Sequence, residues 1–256
     1  MNGFCVGYHT DRGVAHANNQ DSIFLKSFSN GSKRVLVAGL FDGMGGLSEG
    51  ERVSGAAAQA ISGWAAANRA LLLAWDEVRI TMSLRAELDR LNEKIRAFSR
   101  RIETEAGTTA AILIAGPERC LCCNVGDSRV YCITEAEARQ LSEDHSLVAE
   151  LVKAGLLTEE QAREHPQKNV LTQALGVLEK ITPAFRAGVY RPGDVFLLCC
   201  DGFYHELSKT ELQDFYRVEA APELISEQLR QTTQTLISRG ESDNITGILI
   251  KTMSEG

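Results

Sequence analysis

The sequence has no long apolar run. Its longest, around "ALLLAW" and "AAILIAG", are far too short to span a bilayer, and no secretory leader is read at its start. A cytoplasmic protein without a membrane partner is expected. A basic stripe is also missing. The 27 Lys and Arg are outnumbered by 34 Asp and Glu, for a net charge of −7. That balance argues against nucleic acid or an anionic surface as partner, and it suits a site that gathers carboxylates. There is no low-complexity segment, no internal repeat and no CxxC…CxxC spacing. Seven cysteines are present: Cys5, Cys120, Cys122, Cys123, Cys132, Cys199 and Cys200. An odd number with adjacent pairs makes a poor disulfide framework. Most lie in apolar runs such as "CLCCNV" and "VFLLCC", so buried free thiols in a reducing compartment are expected. A zinc site from Cys120, Cys122 and Cys123 lacks the usual spacing.

What is there is ordinary globular material: 256 residues, 44% hydrophobic and 24% charged, enough to bury a core without disulfides. One domain over residues 1–256 is expected. Strand-like runs open the chain: "FCVGYHT", "SIFLKSF" and "RVLVAGLF". An Ala-rich helix is predicted from Glu49 to Ala67. A second, amphipathic helix is predicted over "DEVRITMSLRAELDRLNEKIRAFSRRIE", with Val78, Met82, Leu84, Leu88, Leu91, Ile95 and Phe98 as its core stripe. Strands resume with "GTTAAILIAG", "RCLCCNV" and "SRVYCIT", and "NVGDSR" between the last two reads as a hairpin turn. Residues 144–176 read as a small flap with two short helices, the second capped by Thr158 and stopped by Pro166. A buried strand running into an Asp-Gly turn ("GDVFLLCCDGF"), a helix ended by Gly240, and the strand "NITGILIKT" complete an α+β pattern.

Acids recur where apolar strands end. Asp42 follows "VLVAGLF", inside the glycine-rich "LFDGMGG". Asp201 follows "VFLLCC". Asp243 precedes the last strand, Asp21 precedes "SIFLKSF", and Asp127 lies in "NVGDSR". Taken singly, each is ordinary turn or cap chemistry. Taken together, they pose a problem. A carboxylate at the mouth of a buried strand is costly unless paired, and several converging would repel one another. A hard dication resolves both difficulties, and an all-Asp set with no His or Cys selects Mg²⁺ or Mn²⁺ over zinc.

The ordered stretches "TDRGVAHANNQDS", "LFDGMGG", "AGTTAAILI", "NVGDSRVY", "LSEDHSLVAELVKAGLLTEEQAREHPQKNVLTQALG", "GDVFLLCCDGFYHELS" and "SDNITGILI" run the length of the chain. Together they resemble the metal-dependent protein phosphatases, the type 2C Ser/Thr phosphatases, in their bacterial form. The resemblance implies a central β-sandwich of two antiparallel sheets flanked by helices, with the metals in a cleft at one end. It implies that Asp42 bridges two Mn²⁺ or Mg²⁺ ions and that the Gly43 carbonyl ligates one. Asp201 and Asp243 would hold the other, and Asp127 with Asp201 a weaker third ion. The implied reaction is hydrolysis of phosphoserine or phosphothreonine by a water shared between the two ions, with no Ser or Cys nucleophile. The implied partners are phosphorylated proteins and a Ser/Thr kinase. A monomer is expected.

Three residues depart from the family pattern. His16 stands where the family usually has a phosphate-gripping Arg. Either its imidazole takes the phosphate when protonated, with a pH dependence that Arg lacks, or the grip is weaker. Arg12 is a second cation nearby in sequence. Gln20 stands where a ligating Glu is common; its carbonyl can ligate but adds no charge, and Asp21 is expected to act through water. Met44 stands where animal enzymes often carry a His proposed as general acid, which leaves His16 as the candidate proton donor. His145 is expected to orient the flap. The alternative to an active enzyme is a pseudophosphatase, a binding module that keeps the fold.

Overall fold

Val35, Val37 and Phe41 point to one side of their strand, Leu36, Ala38 and Leu40 to the other, and all six are buried. Both faces of this strand are covered, which is why it reads as an unbroken apolar run rather than an alternating one. The computed structural model describes residues 2–45 and 49–254. Strands β1 (Asn2–Asp11), β2 (Asp21–Ser29) and β3 (Arg34–Gly45) precede helices α1 (Glu49–Ala67), α2 (Arg69–Ala74) and α3 (Glu77–Ile102). Strands β4 (Ala106–Thr108), β5 (Ala110–Gly116), β6 (Arg119–Val125), β7 (Arg129–Ile133) and β8 (Ala138–Gln140) follow, then α4 (Leu147–Lys153) and α5 (Glu159–Glu164). The chain continues through β9 (Ala184–Val189), β10 (Val195–Cys199), α6 (Asp201–Tyr204), α7 (Lys209–Asp214), α8 (Pro222–Ser238) and β11 (Ile245–Ser254).

The strands form two antiparallel sheets, β1-β11-β10-β7-β8 and β2-β3-β5-β6-β9, with β4 joining the far end of β3. Period-two geometry divides their side chains between two cores. Leu36, Ala38, Leu40, Ala111, Leu113, Cys120 and Cys122 fill the space between the sheets with Val130, Leu198 and Ile248. Val37, Phe41, Ile112, Ile114 and Leu121 face outward onto α1, α2 and α3. On the other side, α8 lays Ile225, Leu229 and Leu236 on the five-stranded sheet. The expected helix-flanked sandwich is therefore present. The seven cysteines are free and buried, and burial raises the Cys120, Cys122, Cys123, Cys199 and Cys200 thiols above their ordinary range.

Several local expectations are corrected. "NVGDSR" is not a hairpin: β6 lies in one sheet and β7 in the other, so this segment crosses between them. "LFDGMG" is not a turn either. It is the end of β3, where the strand exchanges β5 for β4 and pairs Gly43 with Thr108; Gly46 lies outside the described residues. The run "GTTAAILIAG" is divided at Thr109, whose N–H donates to the Asp42 carbonyl at 2.8 Å. Asp201-Gly202 begins helix α6 rather than a turn. On α3, Val78 and Met82 are 69% and 68% exposed, and Ile80 takes the core position instead. The buried row runs Ile80, Leu84, Leu88, Leu91, Ile95; the row through Val78 and Met82 meets Arg85 next and faces solvent.

Candidate active site

The topology brings five acids to one end of the sandwich. Asp21 opens β2 directly across from Asp42 on β3. Asp201 follows β10 and Asp243 precedes β11, its antiparallel neighbour. Asp127 sits in the crossover from β6 to β7. Asp42, Asp127, Asp201 and Asp243 line a cavity of about 420 Å³, together with His16, Gln20, Gly43 and Met44.

Their electrostatics are those of a site short of positive charge. Burial raises the Asp42 carboxyl well above the usual range, and the charges of Asp21, Asp201, Asp127 and Asp243 raise it further. Burial likewise lifts Asp127, with Asp201 and Asp144 adding to it and Arg129 opposing. Asp201 is pushed up to about 6 by burial and by Asp243, against the lowering influence of Lys168 on the flap. Asp21 is pushed up to about 7, chiefly by burial. The Thr246 hydroxyl and the Cys200 thiol are its stabilising neighbours. Neither meets hydrogen-bonding geometry, so both Asp21 carboxyl oxygens are buried without a partner.

Buried, unpartnered and mutually repelling oxygens fit divalent cations. Gln20 and Gly43, which carry neutral oxygens, line the same cavity. Gly50 must be glycine because a Cβ there would strike the Gln20 Oε1 and come within 2.9 Å of the Gly43 carbonyl oxygen. Gln20 and Gly43 are thus brought together, and the Gly43 N–H also donates to the Gln20 carbonyl at 3.1 Å. Among the described residues no three His, Cys, Asp or Glu side chains form a ready cluster of ligands. Mg²⁺ asks for no such cage; it takes one or two carboxylates and keeps several waters.

The backbone around the acids is held by residues that sequence reasoning did not assign. Asp42 donates its N–H to Thr109 Oγ1 at 3.0 Å, and the Thr108 hydroxyl donates to the Asp42 carbonyl at 2.9 Å. Thr109 Oγ1 in turn lies 2.7 Å from Ser128 Oγ, beside Asp127. Asn244 Oδ1 accepts the Gln20 N–H at 2.7 Å, and its Nδ2 donates to the Arg12 carbonyl at 2.8 Å. The signal for Thr108 and Thr109 was legible as "AGTT" beside an apolar run. Asn244 was legible only as the neighbour of Asp243.

His16 reaches the cavity and stands against Asp243. Arg12 does not line it: its guanidinium turns back to the His16 and Ala17 carbonyls, 3.4 Å from each. His145 accepts the Gly126 N–H on Nδ1 at 3.2 Å, joining the flap to the crossover that carries Asp127. His165 accepts from Gln167 N at 3.1 Å, away from the acids. The flap holds α4 and α5, the latter with a Thr158–Gln161 capping box, and residues Asn169 and 171–174 form one wall of the cavity. Cys199 and Cys200 are fully buried, with thiols raised by burial, and are no nucleophiles.

The chain is 33% identical over 249 residues to the serine/threonine phosphatase stp of Listeria welshimeri, covering 95% of this chain and 94% of that one. It is 32% identical over 265 residues to protein phosphatase PhpP of Streptococcus pneumoniae, covering 96% of each. Its structure superposes on the serine/threonine phosphatase of S. agalactiae with a TM-score of 0.81 at 29% identity, covering 97% of this chain and 99% of that one. Among the described residues no helix is long and apolar enough to cross a membrane. A protein phosphatase 2C family model matches residues 10–246, and the chain belongs to that family.

Proposed function

We propose that this protein hydrolyses phosphoserine and phosphothreonine in proteins, using two Mn²⁺ or Mg²⁺ ions. The observation that carries the reading is the convergence of Asp21, Asp42, Asp127, Asp201 and Asp243 at one end of the sandwich, with both Asp21 oxygens buried and unpartnered. A module that only bound partners would have no use for so costly an arrangement. Asp42 and the Gly43 carbonyl would hold one ion, and Asp42, Asp201 and Asp243 the other. Gln20 would contribute its side-chain oxygen, Asp21 would act through water, and Asp127 with Asp201 would take a weaker third ion. When bound, such ions activate water for attack on phosphorus and offset charge on the phosphoryl oxygens.

The chain's own residues supply position. Thr108 and Thr109 fix the Asp42 backbone, and Asn244 fixes the loop that carries His16 and Gln20. His16 meets the phosphate at the rim. The flap shields one side of the cavity and meets the phosphoprotein. A Ser/Thr kinase that makes these substrates is the functional counterpart, and residues 1–256 act as one catalytic domain in the cytoplasm, as a monomer.

The test is turnover of p-nitrophenyl phosphate and of a phosphothreonine peptide in Mn²⁺. EDTA is expected to abolish both, and Asp42→Ala or Asp201→Ala to lower kcat by about 10²-fold or more, as loss of a central electrostatic group does. Undiminished turnover in EDTA, or none in saturating Mn²⁺, would overturn the assignment.

A further inference from the structure

Asn92 is 2% exposed in the core-facing row of α3, between Leu88 and Leu91 on one side and Ile95 on the other. A buried amide is costly unless its polar atoms are satisfied. Here they are satisfied by one turn. Asn92 Oδ1 accepts the Gly176 N–H at 2.7 Å, and Nδ2 donates to the Leu178 carbonyl at 3.0 Å and lies 3.4 Å from the Glu179 carbonyl. Gly176 has φ +91°, and a Cβ on it would strike Ile95 Cγ2. The turn at residues 176–179, which leaves the flap, is therefore clamped onto the core helix.

The same turn is bound to the strand that carries Asp42. Thr108 and Leu175 exchange backbone hydrogen bonds at 3.0 and 2.9 Å, and β4 pairs Gly107 with Met44. A Cβ on Gly107 would lie 2.9 Å from Val177 Cγ2 and 3.4 Å from Met44 Cγ, so these two side chains approach each other across that glycine. Val177 and Leu178 line the cavity with Met44, yet remain 52% and 36% exposed. Every residue that the segment 169–178 gives to the cavity is uncharged, whereas the floor is acidic. The cavity thus has a rigidly held apolar shelf on one side of its acids.

We propose that Met44, Val177 and Leu178 form a subsite for an apolar side chain adjacent to the phosphorylated residue, and that Asn92 is the positioning residue that holds it. This rests on the phosphatase reading and adds a substrate class to it: phosphopeptides with Leu, Ile, Val or Phe next to the phosphothreonine. An acidic neighbour is disfavoured by the carboxylate floor. Desolvating one aliphatic side chain on the shelf is worth about tenfold in kcat/KM.

The test compares two phosphothreonine peptides that differ only in the flanking residue, Leu or Ser, with p-nitrophenyl phosphate in parallel. The wild type is expected to prefer the Leu peptide by about tenfold. Val177→Ser/Leu178→Ser, on exposed positions, is expected to bring the two peptides to equal kcat/KM. Asn92→Ala is expected to raise KM for the Leu peptide several-fold while kcat stays within about twofold, a split that general loss of folded enzyme does not produce. Equal kcat/KM for both peptides in the wild type, or a preference that survives the double substitution, overturns the subsite. No turnover of p-nitrophenyl phosphate by the wild type overturns the phosphatase reading and the subsite with it.

Discussion

His16 Nε2 lies 3.0 Å from Asp243 Oδ1. The contact is supported from behind, because the Val14 and Ala15 N–H groups both donate to the Ser242 carbonyl, at 3.1 and 2.8 Å. The imidazole is about half exposed at the cavity rim, the position from which it would meet the phosphate in the proposed reaction. Charge-assisted hydrogen bonds are worth about 1.5–3 kcal/mol. His16→Ala is therefore expected to raise KM for a phosphothreonine peptide by about tenfold. His16→Arg is expected to lower it below the wild-type value, since a guanidinium grips phosphate with two parallel bonds. Steady-state kinetics at saturating Mn²⁺ decide. Unchanged KM in both variants would leave His16 as a structural partner of Asp243 alone.

At the base of the flap, Arg129 Nη2 donates to Asp144 Oδ2 at 2.6 Å and Nε approaches both carboxylate oxygens at 3.0 and 3.1 Å. Gln140 Nε2 donates to Asp144 Oδ1 at 2.6 Å, and the guanidinium stacks 3.6 Å over the Tyr204 ring. Removing one partner leaves a largely buried charge unmatched. Asp144→Ala is expected to cost about 3–5 kcal/mol in urea denaturation. Arg129→Lys is expected to recover little, because an ammonium cannot reproduce the forked bonds or the stacking. A loss below about 1 kcal/mol for Asp144→Ala would show the pair to be a solvated one.

The two apolar rows of α3 should differ sharply under substitution. Ile80 is fully buried among Leu72, Leu84 and other residues of the helix-side core. Ile80→Ala is expected to cost about 2–5 kcal/mol through lost transfer energy and the cavity left behind. Val78→Lys and Met82→Lys are expected to stay within about 0.5 kcal/mol of wild type, since both positions face solvent. Thermal or urea melts of the three variants suffice. A loss of more than about 2 kcal/mol at Val78 or Met82 would return that row to the core.

The helix pair illustrates what the sequence can and cannot carry. The bounds of α1 and the existence of α3 were legible because periodicity and capping are local properties. Which of two apolar rows on α3 meets the sheet was not, because that choice belongs to the sheet. The five acids were legible as acids at strand ends, since each sits beside a recognisable apolar run. Their convergence required the strand order, which the misread "NVGDSR" shows to be non-local: a hairpin there would have kept Asp127 in one sheet instead of placing it between two. Asn92 was visible as an amide among leucines on one helix face. Its partners Gly176 and Leu178 lie more than 80 residues away in sequence, and no local pattern names them.

Acid should weaken the fold through His205. Burial lowers this histidine from its usual range to about 4, with Lys168 and Arg129 also opposing its protonation and Glu241 and Glu206 favouring it. Its ring packs edge-on against Tyr204 at 5.0 Å. The folded state thus holds a neutral imidazole, while the unfolded chain takes up a proton below about pH 6.5. Because the folded pKa is the lower one, the stabilisation is complete above pH 6.5 and is lost as the pH falls toward 4. At pH 5 the loss from this group is about 2 kcal/mol relative to neutral pH. His205→Gln is expected to remove that share of the acid sensitivity, so urea midpoints of wild type and variant should converge between pH 7 and pH 5. Parallel midpoints across that interval would show that His205 protonates alike in the folded and unfolded chains.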